Sequence, residues 1–306
     1  MARAACVWVL VLSAVGTGAA QAPSGVQPEA RTLLASMVKA YRALKSVQLE
    51  TTFTGKSGGF TQPRRFQLTM RRPNLLLYEL WQDVPGLAAN TAMRYQCDGK
   101  NLYIYNQAER YYMREKAPRD LRGFRLTGAG IEFAAMAGSD PFADLARQVR
   151  SARIEGVADV EGEPTDVVLL DTGSAERTAE ARFFISRNDR LIRRFTFDSV
   201  PLETAPKPPP REKLNPDDPD EQELRPLPVH FGYETKVTVN PKVPNTLFAW
   251  TAPSDALHYE PLDQLLSPDR FKQQPGYVIV DRDGKRTKPL TFSDLVRMAK
   301  RQQRKR

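Results

Sequence analysis

The chain has 306 residues, 41% of them hydrophobic and 26% charged, with 45 basic and 36 acidic side chains for a net charge of +9. That length supports one or two domains with a core of their own, while two cysteines and two histidines are too few for a disulfide framework or a His/Cys metal site. The basic excess favours anionic surfaces, such as membrane headgroups, or an acidic partner.

The first residues, MARAACVWVLVLSAVGTGAAQA, have one early arginine, an apolar run and small residues before Ala20-Gln21-Ala22. Residues 1–22 therefore read as a cleaved secretory signal peptide, cut after Ala22 or after Ala20. The apolar run is shorter than the ~20 residues of a membrane span. Cys6 has no small-residue cleavage motif before it, so no lipid anchor is expected. Losing Arg3 takes the charge from +9 to +8 and leaves Cys97 as the only cysteine. The mature chain is expected to be soluble and exported, to a compartment where nucleic acid is not an expected partner.

PEARTLLASMVKAYRALKS follows, with Leu33, Leu34, Met37, Val38, Tyr41 and Leu44 at helical spacing. Strands come next: VQLETTF, RFQLTM, RPNLLLYELW, AMRYQC, NLYIYN and RYYMRE. Asp98-Gly99 marks a hairpin, because glycine tolerates positive φ at the turn. Residues 117–150 look helical in AGIEFAAMAG and DPFADLARQVR. Strands resume with SARIEGVADVEG, TDVVLLD, ARFFISR and LIRRFTFD, the last pair joined at Asn188-Asp189, and then VHFGYETKVTV; a short LFAWTAP completes the body. Residues 201–228 hold nine prolines and few large apolar groups, and read as a long exposed loop.

Several strands are apolar on both faces. Leu75, Leu77 and Trp81 oppose Leu76, Tyr78 and Leu80; Leu102 and Ile104 oppose Tyr103 and Tyr105; Phe183 and Ile185 oppose Phe184. An antiparallel sheet with one wet face should alternate instead. Either a curved sheet wraps a partly open apolar cavity, or a two-sheet sandwich or barrel is filled by its own side chains. In the cavity reading the candidate lining residues are Phe66, Leu68, Leu77, Trp81, Tyr95, Tyr103, Tyr105 and Phe195.

The order of elements carries a resemblance. A helix LLASMVKAYRALKS leads into FQLTMRRPNLLLYEL, YQCDGKNLYIYNQAERYYM, FFISRNDRLIRRFTF and finally NTLFAWTAPSDA. This resembles the LolA-like superfamily of periplasmic lipoprotein carriers, most closely an uncharacterised branch of predicted periplasmic proteins, over roughly residues 30 to 262. The resemblance implies an α+β fold: a strongly curved, unclosed antiparallel β-sheet, or half-barrel, with helices on its concave side. It also implies a hollow that holds acyl chains of lipids or lipoproteins in a carrier or sensor. The domain plan is then a signal peptide at 1–22, a LolA-like domain at 23–262, and a C-terminal hairpin with a basic tail at 263–306.

Enzymatic motifs are thin. Ser36-Met37-Val38-Lys39 fits a serine-x-x-lysine pattern, but its partner motifs are missing and it sits in an amphipathic helix. His230 is expected at a sheet edge, Cys97 half-buried, and Asp217-Asp218 lie in the flexible loop, a poor place for acid-base work. No enzyme activity, cofactor or metal is expected, and the chain is read as a monomer. Six of the last ten residues are basic: Arg297, Lys300, Arg301, Arg304, Lys305 and Arg306. They read either as a solvated end or as a dock for an anionic membrane or an acidic envelope protein. Two functions remain open: a periplasmic binding protein for acyl chains, or a structural and interaction protein of the envelope with a filled core.

Overall fold

The computed structural model describes residues 25–57, 60–61, 64–82, 91–107, 110–126, 130–174, 177–202, 228–261 and 277–280. The expected signal peptide, most of the proline-rich segment, most of the expected C-terminal hairpin and the basic tail lie outside them. The chain divides into two compact units, residues 1–66 with 121–241, and 67–120 with 242–306.

In the first unit β1 (Gly25–Val26) leads into helix α1 (Pro28–Ala43). Proline in the first turn, Glu29 beside it and Arg42 in the last turn suit the two ends of a helix. Ala30, Leu33, Leu34, Met37, Val38 and Tyr41 form its buried stripe. Then come β2 (Ser46–Ser57), β3 (Phe60–Thr61) and β4 (Arg64–Arg71), which carries the chain on. After the second unit's first strands follow helices α2 (Ile131–Met136) and α3 (Leu145–Gln148) and strands β9 (Ser151–Val160), β10 (Glu163–Asp171), β11 (Arg177–Ser186), β12 (Ile192–Pro201) and β13 (Val229–Val239). Their order is β1-β9-β10-β11-β12-β13-β2. All pairings in it are antiparallel except β1 with β9, which is parallel.

One irregularity ties α1 to this ladder. Phe184 pairs with Arg194 but Ile185 with Ile192, so Arg193 is an extra residue and β12 bulges there. The Ile192 N–H donates to the Tyr41 hydroxyl at 3.1 Å, giving a buried amide its partner. On the opposite, wet face arginines cover what apolar surface there is. The Arg194 guanidinium lies 5.4 Å from the Phe184 ring centre and pairs with Glu234 at 2.6 Å. Arg182 reaches Glu155 and Glu180 on the same face.

The second unit takes the rest of β4 with β5 (Leu75–Gln82), β6 (Thr91–Asp98), β7 (Asn101–Asn106), β8 (Tyr111–Lys116), β14 (Leu257–Pro261) and β15 (Tyr277–Val280), in that order. β14 joins β8 in parallel; the other strand pairs from β5 onward are antiparallel. The Asp98-Gly99 hairpin forms as expected: Gly99 takes φ 93°, and the Asp98 carboxylate accepts the N–H groups of Lys100 and Asn101 at 2.7 Å.

Neither ladder closes on itself. The fold class is the expected one, an unclosed and largely antiparallel α+β sheet. One detail corrects the sequence reading. The sheet is mixed, because the short strands β1 and β14 join β9 and β8 in parallel, a register that no local turn signal announces. In the LFAWTAP segment Asn245–Phe248 form a single 3-10 turn, and the segment crosses a face of the ladder.

Candidate functional site

In the first unit, β-pairing puts Phe183 opposite Phe195, Phe195 opposite Tyr233 and Tyr233 opposite Phe53. Direct cross-strand neighbours share a face, so four strands contribute to one row of rings. Centroid spacings along it are 4.9, 5.2 and 5.3 Å. Phe66 extends the row beside Phe53 at 5.5 Å, and Phe142, before α3, meets Phe183 edge-on at 5.5 Å. Helices α1 and α2 lie against this face, α1 through Tyr41 and α2 through Glu132, whose carboxylate accepts a hydrogen bond from the Tyr233 hydroxyl. Glu132 is only 3% exposed. Burial pushes its pKa up, partly offset by the Tyr233 hydrogen bond and by its own backbone N–H. The Tyr41 and Tyr233 hydroxyls are likewise driven well up by burial, with the Glu132 carboxylate adding to the shift.

In the second unit the two faces differ. Leu75, Leu77, Gln96, Tyr103 and Tyr105 share one face by register, with Tyr112 opposite Tyr105. Residues 243–250 cross it as a strap. Val243 and Phe248 pack on Leu77, the Arg71 guanidinium donates to the Val243 carbonyl at 2.8 Å, and the Gln96 amide donates to the carbonyls of Leu247 and Ala249. Trp250 ends the strap stacked on Tyr103 at 5.4 Å, with Tyr105 and Tyr112 each 5.7 Å away. The opposite face carries Leu76, Tyr78, Tyr95, Cys97 and Leu102, all buried.

The structure therefore divides the residues selected from sequence. Phe66 and Phe195 meet in the ring row; Leu68 is buried in β4; Leu77, Tyr103 and Tyr105 lie beneath the strap; Tyr95 faces the other way beside Tyr78; Trp81 is half-buried near the end of β5. Arg297, Lys300, Arg301, Arg304, Lys305 and Arg306 lie outside the described residues. Phe53, Tyr233, Glu132 and Trp250 were missed as site members. For Glu132 a signal existed, since it is the one charged residue in AGIEFAAMAG.

Other expectations resolve locally. His230 is not at an edge: β13 pairs on both sides, and His230 meets Asp198 at 2.7 Å on the wet face. Cys97 is fully rather than half buried, and burial pushes its thiol up to about 11. Ser36 donates its hydroxyl to the Leu33 carbonyl at 2.7 Å, one turn back in its helix, and Lys39 is exposed. Among the described residues no three His, Cys, Asp or Glu side chains cluster as metal ligands.

The chain belongs to the DUF2092 family of predicted periplasmic proteins, whose model matches residues 30–208, and it is periplasmic. Among solved structures it is similar to LprF from Mycobacterium bovis, at 12% identity over 76% of this chain and 100% of that one, TM-score 0.38. It is also similar to the MucA/MucB complex from Pseudomonas aeruginosa, at 15% identity, 82% and 75% coverage and TM-score 0.37. A LolA superfamily protein from Nitrosomonas europaea matches at 10% identity, 72% and 97% coverage and TM-score 0.27. No curated protein matches the sequence.

Proposed function

We propose that this is a non-enzymatic periplasmic binding protein that holds acyl chains of lipids or lipoproteins, as a carrier or a sensor. The observation that carries the reading is the ring row of Phe183, Phe195, Tyr233, Phe53 and Phe66, a run of apolar side chains with the Glu132 carboxylate against Tyr233. Such a surface suits a methylene chain, which gains ~0.8 kcal/mol per buried CH₂ before ordering costs. Phe66, Phe195, Leu68, Tyr95 and Trp81 are the lining candidates; Leu77, Tyr103 and Tyr105 would meet ligand only with the strap lifted. A second reading, an envelope interaction protein with a filled core, is favoured by the strap itself, since the chain there covers its own apolar face.

Native mass spectrometry of signal-free protein from a periplasmic extract, followed by titration with a fluorescent fatty acid, separates the two. Co-purified lipid or one saturable site is the expected result, and Trp81→Glu should weaken binding more than stability. No lipid, no saturation and outright unfolding of Trp81→Glu would establish the filled core.

A further inference from the structure

Helix α2 has six residues, too few to be stable alone. Its N-terminal neighbour Gly130 supplies no side-chain cap. Two polar ties hold it. At its C-terminal end, the Arg42 guanidinium donates to the Gly138 carbonyl at 2.9 Å on the surface. At its start, the Tyr233 hydroxyl donates to the buried Glu132 carboxylate. The other carboxylate oxygen is folded back over Gly130, so that a Cβ there would come within 2.5 Å of it. Tyr233 faces this carboxylate from β13 and Tyr41 from α1; Arg193 and Asp189 act on Tyr41, with opposite signs. Among the described residues Glu132 has no ion-pair partner.

We propose that Glu132 is a proton-operated latch: protonated, it pins α2 onto the ring row at Tyr233, and on losing its proton it releases α2 and uncovers the Phe195–Tyr233–Phe53 surface. What is uncovered rests on the acyl-chain reading above; the latch itself does not. A buried carboxylate without a cation is costly, and opening to water relieves it. The folded state holds this proton more tightly than the unfolded chain does, because burial raises the pKa. The stabilisation is therefore complete below the ordinary carboxylate range and is lost as pH rises through the raised value. Tyr233 is the ring of the row that α2 reaches, and it is stacked on Phe195 at 5.2 Å, so lifting the helix at this point acts on the centre of the row.

Hydrogen exchange of lipid-free protein over about pH 5 to 9, a span that includes the values buried glutamates reach, tests the latch. After correction for intrinsic exchange, protection of the α2 amides should fall about tenfold per pH unit from the ordinary carboxylate range up to one midpoint, the raised value, and level off above it. Glu132→Gln keeps the shape without the charge and should abolish that slope. Tyr233→Phe removes the donor that favours the ionised form and should move the midpoint upward. A flat wild-type profile, a wild-type slope surviving in Glu132→Gln, or an unmoved midpoint in Tyr233→Phe overturns the latch. In parallel, fluorescent fatty-acid binding should rise with the same midpoint in the wild type and show no rise in Glu132→Gln. Exchange behaving as described without probe binding at any pH would leave the latch standing and remove the acyl-chain reading.

Discussion

Tyr41 belongs to two structures at once: its ring is the last apolar step of the α1 stripe, and its hydroxyl serves the amide freed by the β12 bulge. Removing only the oxygen, as in Tyr41→Phe, keeps the stripe and leaves a buried N–H without a partner. Such a loss costs about 1–3 kcal/mol, so equilibrium denaturation should show the midpoint falling with little change in slope. A variant as stable as the wild type would mean that water reaches Ile192. At this scale the sequence is partly legible. The spacing of Leu33, Leu34, Met37, Val38 and Tyr41 shows that the tyrosine is buried. Nothing local shows what its hydroxyl meets, because Ile192 lies 151 positions along the chain. Glu132 is the converse case, since an acid alone in an apolar helical run advertises a buried carboxylate even though its tyrosine partner is distant.

Among the elements, the strap at 243–250 departs furthest from its sequence pattern. Short apolar runs read as strands, and LFAWTAP has the composition of one, but carbonyls of the strap accept from the side chains of Gln96 and Arg71 and its Leu247 and Ala249 N–H groups donate within its own turn instead of to a ladder. Turn chemistry, by contrast, is local, which is why the Asp98-Gly99 hairpin and the strands around it fall where expected. Trp250 anchors the strap on three tyrosines. Trp250→Ala should destabilise by up to about 3 kcal/mol, the low end for truncating an aromatic core residue. It should also raise proteolytic cleavage between Val243 and Trp250. Unchanged cleavage would mean that the Gln96 and Arg71 hydrogen bonds suffice to hold the segment.

For the molecule as a whole, charge and core are separable. The six basic residues at 297–306 lie beyond every strand and helix described above, and in a docking role each would contribute ~1 kcal/mol beside an anionic membrane. Deleting residues 296–306 should leave the melting transition in place and weaken binding to phosphatidylglycerol vesicles; binding that persists at physiological salt would remove the tail from any docking role. The aromatic residues are distributed just as unevenly. Trp81 and Trp250 both fall in the second unit, and the third tryptophan, Trp8, falls in the segment read as the signal peptide. In signal-free protein, light absorbed at the red edge of the aromatic band is thus emitted from the second unit alone. Tyr103, stacked against Trp250, passes its excitation to that same ring. The unit with the ring row and Glu132 carries no indole, so a tryptophan placed there by mutation would report on it by its own colour shift, read against an existing signal from the other half of the chain.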